Sequence, residues 1–250
     1  MPKEEIEKLK IENEKLKKMN SVKSDLISIS AHQLRTSLSA LKWILMMFIE
    51  KDLGSITSEQ ETFIKRAMES SNRMILLVND LLTLSRMDDQ NIKFNMEKIN
   101  IIKLIEETIF EFSGETLNKN IDLIFLKPET SDTWINGDEK MIRVVIQNLI
   151  ENSIKYNDKD DKIFISLNYK EGSSSILFSI RDTGIGIDEK DQSNIFNKFF
   201  RAPNATKKDP IGSGLGLFTT KNIVERHNGK IWFESKIGVG TTFFISLPII

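Results

Sequence analysis

The sequence predicts an α+β chain, with an N-terminal coiled coil and an antiparallel helical hairpin that pairs into a dimeric four-helix bundle, followed by an α/β sandwich. Three observations carry this expectation. Residues 21–51 contain neither Gly nor Pro and place Leu26, Ile29, Leu34, Leu38, Leu41, Leu45 and Phe48 at three- and four-residue steps. Residues 59–87 repeat the pattern with Phe63, Met74, Leu77, Val78, Leu81, Leu82 and Leu84. Beyond residue 95 the periodicity changes to short helices and β-rich runs separated by glycine-bearing turns.

The first segment, 3–20, is almost all Glu, Lys, Asn, Ile and Leu. Ile6, Asn13, Asn20 and Ile27 recur at heptad spacing, with Leu9 and Leu16 three positions after the first two. This is an a/d seam, and asparagine at a favours a parallel pair in fixed register. Past Leu16 the apolar set shifts to Met19, Val22, Leu26 and Ile29, which resembles a stutter. The first long helix is expected to stop at 52–54, where Gly54 suits a helix C-terminus. Thr57 followed by Gln60 supplies a start signal for the second helix. Two long helices on a short turn have more apolar surface than one partner covers, hence the expected dimer.

The polar run 88–95 reads as a linker. After it, helices are expected near 101–119, 138–156 and 215–227. Strands are expected at 121–126, 162–169, 175–181, 230–235 and 241–247. Hairpin-connected strands mixed with helices imply a sandwich with helices on one face.

Composition narrows the function classes. A formal net charge of −1 gives no electrostatic footprint for nucleic acid. The absence of cysteine excludes disulfides, thiolate nucleophiles and cysteine-ligated zinc. The longest apolar run, Trp43 to Ile49, is too short to span a bilayer, and the charged N-terminus does not read as a signal peptide.

Only two histidines are present. His32 lies inside the first long helix, with Thr36 one turn on along the same face. An imidazole there can act as a nucleophile through a ring nitrogen. His227 precedes an Asn-Gly turn at a helix end, where a structural role is expected. Asn148 and Asn152 share a helix face, with Lys155 and Tyr156 following. Their carboxamide oxygens suit a hard cation such as Mg²⁺, and the lysine suits phosphate. Asp182, Gly184 and Gly186 follow a strand; the carboxylate can accept from an exocyclic amine such as that of adenine, while the glycines let backbone approach a flat ligand. Gly212, Gly214, Leu215 and Gly216 open a helix, leaving amides for anionic phosphate. Between these glycine segments, Phe196, Phe199 and Phe200 suit either core or the anchor of a lid, with Lys198 and Arg201 in reach of a γ-phosphate.

In this order the motifs resemble those of bacterial sensor histidine kinases with a HisKA-type dimerisation domain and a GHKL-type (Bergerat) ATP-binding domain. Residues 30–41 resemble the H-box, 148–157 the N-box, 182–187 the G1 box, 195–201 the F-box and 212–217 the G2 box. The resemblance covers nearly the whole chain. It implies a signalling coiled coil at 1–20, a dimerisation and histidine phosphotransfer domain at 21–88, a linker at 89–95 and a catalytic ATP-binding domain of the Bergerat type at 96–250. It further implies that His32 is phosphorylated from Mg-ATP and passes the group to an aspartate on the receiver domain of a response regulator. Asn152 would bind Mg²⁺ with Asn148 beside it, Lys155 would contact phosphates, and Tyr156 would pack near the base. Asp182 would bond the adenine amine beside Gly184 and Gly186, and Arg201 with Lys198 would steady the γ-phosphoryl group. Gly212, Gly214, Leu215 and Gly216 would line the phosphate path, and Thr36 would position water when the protein acts as a phosphatase. The implied setting is a cytoplasmic homodimer, the cytoplasmic part of a larger sensor where one lies upstream.

Two positions depart from the family pattern. Gln33 stands where an acidic residue usually follows the histidine, and a carboxamide takes up no proton at neutral pH. Slower autophosphorylation is expected. Ser37 replaces a proline, restoring a backbone donor and removing a source of kinking. Three other readings compete: a non-enzymatic coiled-coil scaffold, which leaves the ordered Asn and Gly motifs unexplained, a phosphatase-dominant or ATP-sensing pseudokinase of the same family, and a GHKL ATPase without phosphotransfer. The histidine-bearing segment 30–41 speaks against the last.

Overall fold

The computed structural model describes residues 3–88, 94–128, 133–158, 160–169, 174–210 and 212–249. It divides into two compact units, Met1–Ile92 and Lys93–Ile250.

The first unit is a hairpin of α1 (Lys3–Ile49) and α2 (Ser58–Asp88). The helix α1 runs without interruption past position 20 and past Ser37. It ends earlier than Gly54 suggests: Lys51 takes the left-handed conformation at φ 66°, and Gly54 follows at φ 107°. Thr57 and Gln60 cap α2 reciprocally. The Thr57 N–H donates to Gln60 Oε1 at 2.8 Å, and the Gln60 N–H donates to Thr57 Oγ1 at 3.2 Å. Between the helices, Ala31 and Val78 are buried with Leu38 packed against them. Ser71, fully buried, donates to the Leu38 carbonyl across the pair at 3.2 Å. Leu34, Leu41, Trp43 and Phe63 remain exposed. The expected seam at Ile6, Leu9, Asn13, Leu16 and Asn20, and the side chains of Leu81, Leu82 and Leu84, lie outside the described residues, as do 89–93 of the expected linker.

The second unit starts with β1 (Glu97–Asn100), α3 (Ile101–Glu111), α4 (Ser113–Lys119), β2 (Asp122–Leu126), β3 (Trp134–Gly137) and α5 (Glu139–Tyr156). It continues with β4 (Lys162–Tyr169), β5 (Ser175–Asp182), α6 (Glu189–Gln192), α7 (Pro203–Lys208), α8 (Gly216–Arg226), β6 (Lys230–Lys236) and β7 (Gly240–Pro248). The main sheet has the order β2-β4-β5-β7-β6, and β1 pairs with β3 in a separate ribbon. Only β2 and β4 are parallel, because the chain between them includes α5 as a crossover; the other pairs are antiparallel.

One sheet face is dry. Ile163, Ile165 and Leu167 of β4, Ile176, Phe178 and Ile180 of β5, and Phe243, Ile245 and Leu247 of β7 alternate into the core. Against them α5 turns Ile142, Val145, Ile146, Leu149, Ile150 and Ile154 at helical spacing. The opposite face carries half-buried or exposed residues, among them a Trp232–Phe244 stack and a hydrogen bond between Ser166 and Ser179. The single helix expected at 101–119 is two. Phe112 leaves helical geometry at ψ 1°, its N–H folds back on the Ile109 and Phe110 carbonyls, and α4 closes on left-handed Asn120. The ribbon β1–β3 was not expected, since four-residue strands carry no readable alternation.

Candidate functional site

The residues at the mouth of the sheet unit come from four places. The first is α5, capped by Asp138, whose Oδ1 accepts from the Met141 N–H at 3.1 Å. Asn148 and Asn152 stand one turn apart on it. Asn148 donates to the Gly216 carbonyl at 3.3 Å and to Thr220 Oγ1 at 3.4 Å, which ties α5 to the start of α8 and leaves its own oxygen free of those bonds. Asn152 is half-buried and makes no side-chain hydrogen bond among the described residues. Lys155 pairs with Glu151 at 3.7 Å on a surface open to water, a contact of small energy. Tyr156 is half-buried, and its carbonyl accepts from the Ile185 N–H at 3.2 Å.

The second piece is the end of β5. Asp182 is 7% exposed, and both of its hydrogen bonds fall on one oxygen: Oδ1 accepts the Gly184 N–H at 3.0 Å and the Thr241 N–H at 3.1 Å. Oδ2 is left for an outside donor. Burial pushes the carboxyl up to about 6, opposed by the two backbone N–H bonds and assisted by the nearby Asp161 charge. The glycines here are required by space. A Cβ on Gly184 would strike the Tyr156 carbonyl oxygen and come within 2.5 Å of Asn157 Oδ1, a buried oxygen without a partner. A Cβ on Gly186, which sits at φ 65°, would strike the Lys236 carbonyl oxygen.

The third and fourth pieces meet backbone to backbone. Phe199 holds a left-handed φ of 64°, uncommon for an aromatic residue, and its N–H donates to the Gly214 carbonyl at 3.0 Å. Gly214, at φ 74°, has no room for a Cβ, which would fall 2.7 Å from the Phe199 carbonyl carbon. Arg201 donates to the Gly212 carbonyl at 3.0 Å and to the Asp209 carbonyl, so its guanidinium braces this loop. Lys198 lies over the Phe218 ring at 4.9 Å. Asn204 at the start of α7 donates to the Gly186 carbonyl at 2.9 Å, joining the segment to the second piece. Leu215 is buried, and its N–H donates to Ser213 Oγ at 3.2 Å ahead of Gly216, the first residue of α8. The structure thus gathers Asn148, Tyr156, Asp182, the five glycines and Arg201 into one linked set. Lys155 and Lys198 stand at its surface.

In the hairpin unit His32 is exposed on α1. Thr36 Oγ1 donates to the His32 carbonyl at 3.0 Å, and Ser37 Oγ donates to the Gln33 carbonyl at 3.0 Å. These local bonds leave the imidazole and the Gln33 amide turned to solvent. His227 is the opposite case. It is buried, its Nε2 accepts the Asp138 N–H at 2.9 Å, and Nδ1 therefore carries the proton toward the Ile223 carbonyl at 2.7 Å. Burial lowers its pKa and keeps the ring neutral, so it acts through two hydrogen bonds and not through charge at the helix end. The contributions of Thr241, Asn157 and Asn204 were not anticipated. The Thr241 N–H reaches Asp182 from another strand, and no local motif marks it.

Residues 22–90 match the model of the His Kinase A (phospho-acceptor) domain. Residues 137–250 match that of the histidine kinase-, DNA gyrase B- and HSP90-like ATPases. The chain belongs to the sensor histidine kinases. Among relatives of this kinase family, it is 32% identical over 236 residues to the sensor histidine kinase WalK of Bacillus subtilis (strain 168), covering 92% of the chain and 37% of WalK. The sensor protein SrrB of Staphylococcus aureus (strain MRSA252) is 32% identical, with 92% of the chain and 39% of SrrB covered. The chain therefore spans well under half the length of these relatives. Full-length ShkA, solved in complex with AMPPNP, superposes with a TM-score of 0.70 over 90% of the chain and 46% of ShkA, at 22% identity, a likeness of fold. The catalytic domain of the histidine kinase ThkA gives a TM-score of 0.55 at 29% identity, over 62% of the chain and 96% of that domain. No helix among the described residues is long and apolar enough to cross a membrane.

Proposed function

We propose that this chain is the catalytic core of a two-component sensor, in which His32 takes the γ-phosphoryl group of Mg-ATP and passes it to an aspartate on a response regulator. The observation that carries the reading is the state of Asp182: buried, with Oδ1 taken by two main-chain donors and Oδ2 left without one. That arrangement suits an adenine amine. ShkA, which shares the fold, was solved in complex with AMPPNP.

In the proposed reaction an imidazole nitrogen of His32 attacks the γ-phosphorus, the bond to the ADP oxygen breaks, and the ring proton goes to solvent. Gln33 accepts a hydrogen bond without taking that proton. Lys155, Lys198 and Arg201 offset phosphate charge, and Gly212, Gly214, Leu215 and Gly216 present backbone to it. Among the described residues no group of three or more His, Cys, Asp or Glu side chains is placed to hold a metal ion. Asn148, whose hydrogen bonds use only its Nδ2, and Asn152, which makes no side-chain bond among the described residues, would offer their carboxamide oxygens to a Mg²⁺. The ion would neutralise the transferring group's charge. Exposed Leu34, Leu41 and Phe63 support a homodimeric bundle, and the exposed surface around His32 is where a receiver domain would dock.

Mass spectrometry after incubation with Mg-ATP, at alkaline pH to preserve phosphohistidine, tests this. Acid-labile phosphate on His32 is expected. Its persistence in His32→Ala would refute the assignment. A second reading, phosphatase dominance, is favoured by Gln33 and by the Thr36 hydroxyl one turn beyond His32. Gln33→Glu is expected to raise autophosphorylation about ten-fold or more through restored general-base capacity. An unchanged rate favours loss of kinase function elsewhere.

A further inference from the structure

The Ser235 hydroxyl sits where three stretches of backbone meet. It accepts from the Ile187 N–H at 2.8 Å and donates to the Gly240 carbonyl at 3.1 Å. It also lies 2.8 Å from Thr241 Oγ1. A serine hydroxyl has one proton and two lone pairs. The Gly240 carbonyl takes the proton and the Ile187 amide takes one lone pair. The Thr241 hydroxyl must then donate in the remaining contact, and Ser235 is fully used. Gln192 of α6 secures the same corner, with Nε2 on the Ile187 carbonyl at 3.3 Å and on the Ser235 carbonyl at 3.2 Å.

This corner borders the Thr241 amide, one position beyond the last β5–β7 pair, Arg181–Thr242. Gly240 takes φ 122°, and a Cβ there would strike the Asp182 carbonyl oxygen, so the β6–β7 hairpin is pressed against the end of β5. From that position the Thr241 N–H reaches Asp182 Oδ1. Were it to move away, Oδ1 would keep only the Gly184 N–H, and the carboxylate would be free to turn.

We propose that Ser235 is a positioning residue for base recognition. By fastening the Ile187 loop to the Gly240–Thr241 backbone, it holds the Thr241 N–H on Asp182 Oδ1 and reserves Oδ2 for the exocyclic amine of a purine. The proposal rests on the nucleotide reading above. It has a signature that simple loss of packing lacks. The Thr241 N–H favours the charged form of Asp182, while burial and Asp161, the charged group whose field reaches it, disfavour that form. Losing that N–H raises the carboxyl further, so the acid limb of nucleotide binding moves to higher pH.

The test is equilibrium binding of Mg-ADP by the full chain across about pH 5 to 8, for the wild type, Ser235→Ala and Ser235→Thr. The nucleotide's own titration is common to all three, so a difference between curves belongs to the protein. Ser235→Ala is expected to bind on the order of five-fold more weakly at neutral pH, as for one lost hydrogen bond, with its acid limb displaced upward. Ser235→Thr, which keeps the hydroxyl, is expected to restore the limb. An acid limb left in place in Ser235→Ala, whether affinity falls uniformly or not at all, overturns the proposal. Should that variant not fold, Ser235→Cys, close in volume but a weak donor, carries the same comparison. Asp182→Asn separates the two claims: unaltered Mg-ADP binding there would sink the nucleotide reading itself, independently of Ser235.

Discussion

The helix α5 buries seven residues within 18 positions, against the sheet and its neighbours α3 and α8, whereas α1, at 47 residues, buries only Ala31 completely among its described side chains. Both are long helices with apolar faces. The difference lies in what stands opposite. A sheet with alternating Ile, Leu and Phe offers α5 a broad dry surface, and the sheet unit closes its core within one chain. One neighbouring helix offers α1 a single seam, filled by Ala31, Val78, Leu38 and the Ser71 hydroxyl, and leaves Leu34, Trp43 and Phe63 in water. Folding and association are expected to be separable in the sheet unit and inseparable in the hairpin.

Dilution gives the largest expected effect. Prepared as separate pieces at the observed division, residues 1–92 should lose helicity and thermal stability on hundred-fold dilution, while residues 93–250 melt at a constant temperature. Circular dichroism at several concentrations checks this, and a concentration-independent hairpin would break the contrast. Next comes Leu149→Ala, at a side chain with no exposure, which should cost the sheet unit roughly 2–5 kcal/mol in denaturant unfolding and leave hairpin dimerisation intact.

Asp182→Asn should act in the opposite sense. The folded carboxyl titrates near 6 against an ordinary 3.8, so the native state binds the proton more tightly than the unfolded chain. Stability from this group therefore falls as pH rises from about 4 to 6, and the penalty is complete above that window. Asp182→Asn should remove this slope and stabilise the sheet unit at neutral pH by roughly 1–3 kcal/mol, while Mg-ADP binding is lost. Thermal melts across this pH range check the sign, and a variant with an undiminished slope contradicts it. Burial of neutral His227 works the other way, costing stability as pH falls below its ordinary 6.5. The smallest expected effect is Ser71→Ala, about 1 kcal/mol for one buried hydrogen bond across the hairpin.

Much of this contrast is legible in the residues. The reciprocal Thr57–Gln60 cap, the strand β4 at its full 162–169 extent and the α5 face follow from local chemistry and periodicity. The Asn and Gly motifs of the site follow from residue type and order. What resisted reading is non-local. Nothing in Phe112 itself announces that it ends α3, and the ribbon β1–β3 forms between strands separated by two helices and another strand. The tautomer of His227 is set by an Asp138 amide 89 positions away, and Asp182 takes its second donor from Thr241, 59 positions on. Left-handed Phe199 is a cost that tertiary contacts impose and no propensity forecasts.

The bond between the Phe199 N–H and the Gly214 carbonyl also has a bearing on how this chain can vary. It draws the stretch between them into a noose whose neck is tied at the glycine. Doubling the length of such a closed stretch costs only about 0.6 kcal/mol of closure entropy. Length can therefore vary at low cost only outside Arg201, Asn204 and Asp209, since the bonds from Arg201 to Asp209 and Gly212 and from Asn204 to Gly186 fasten the noose from within.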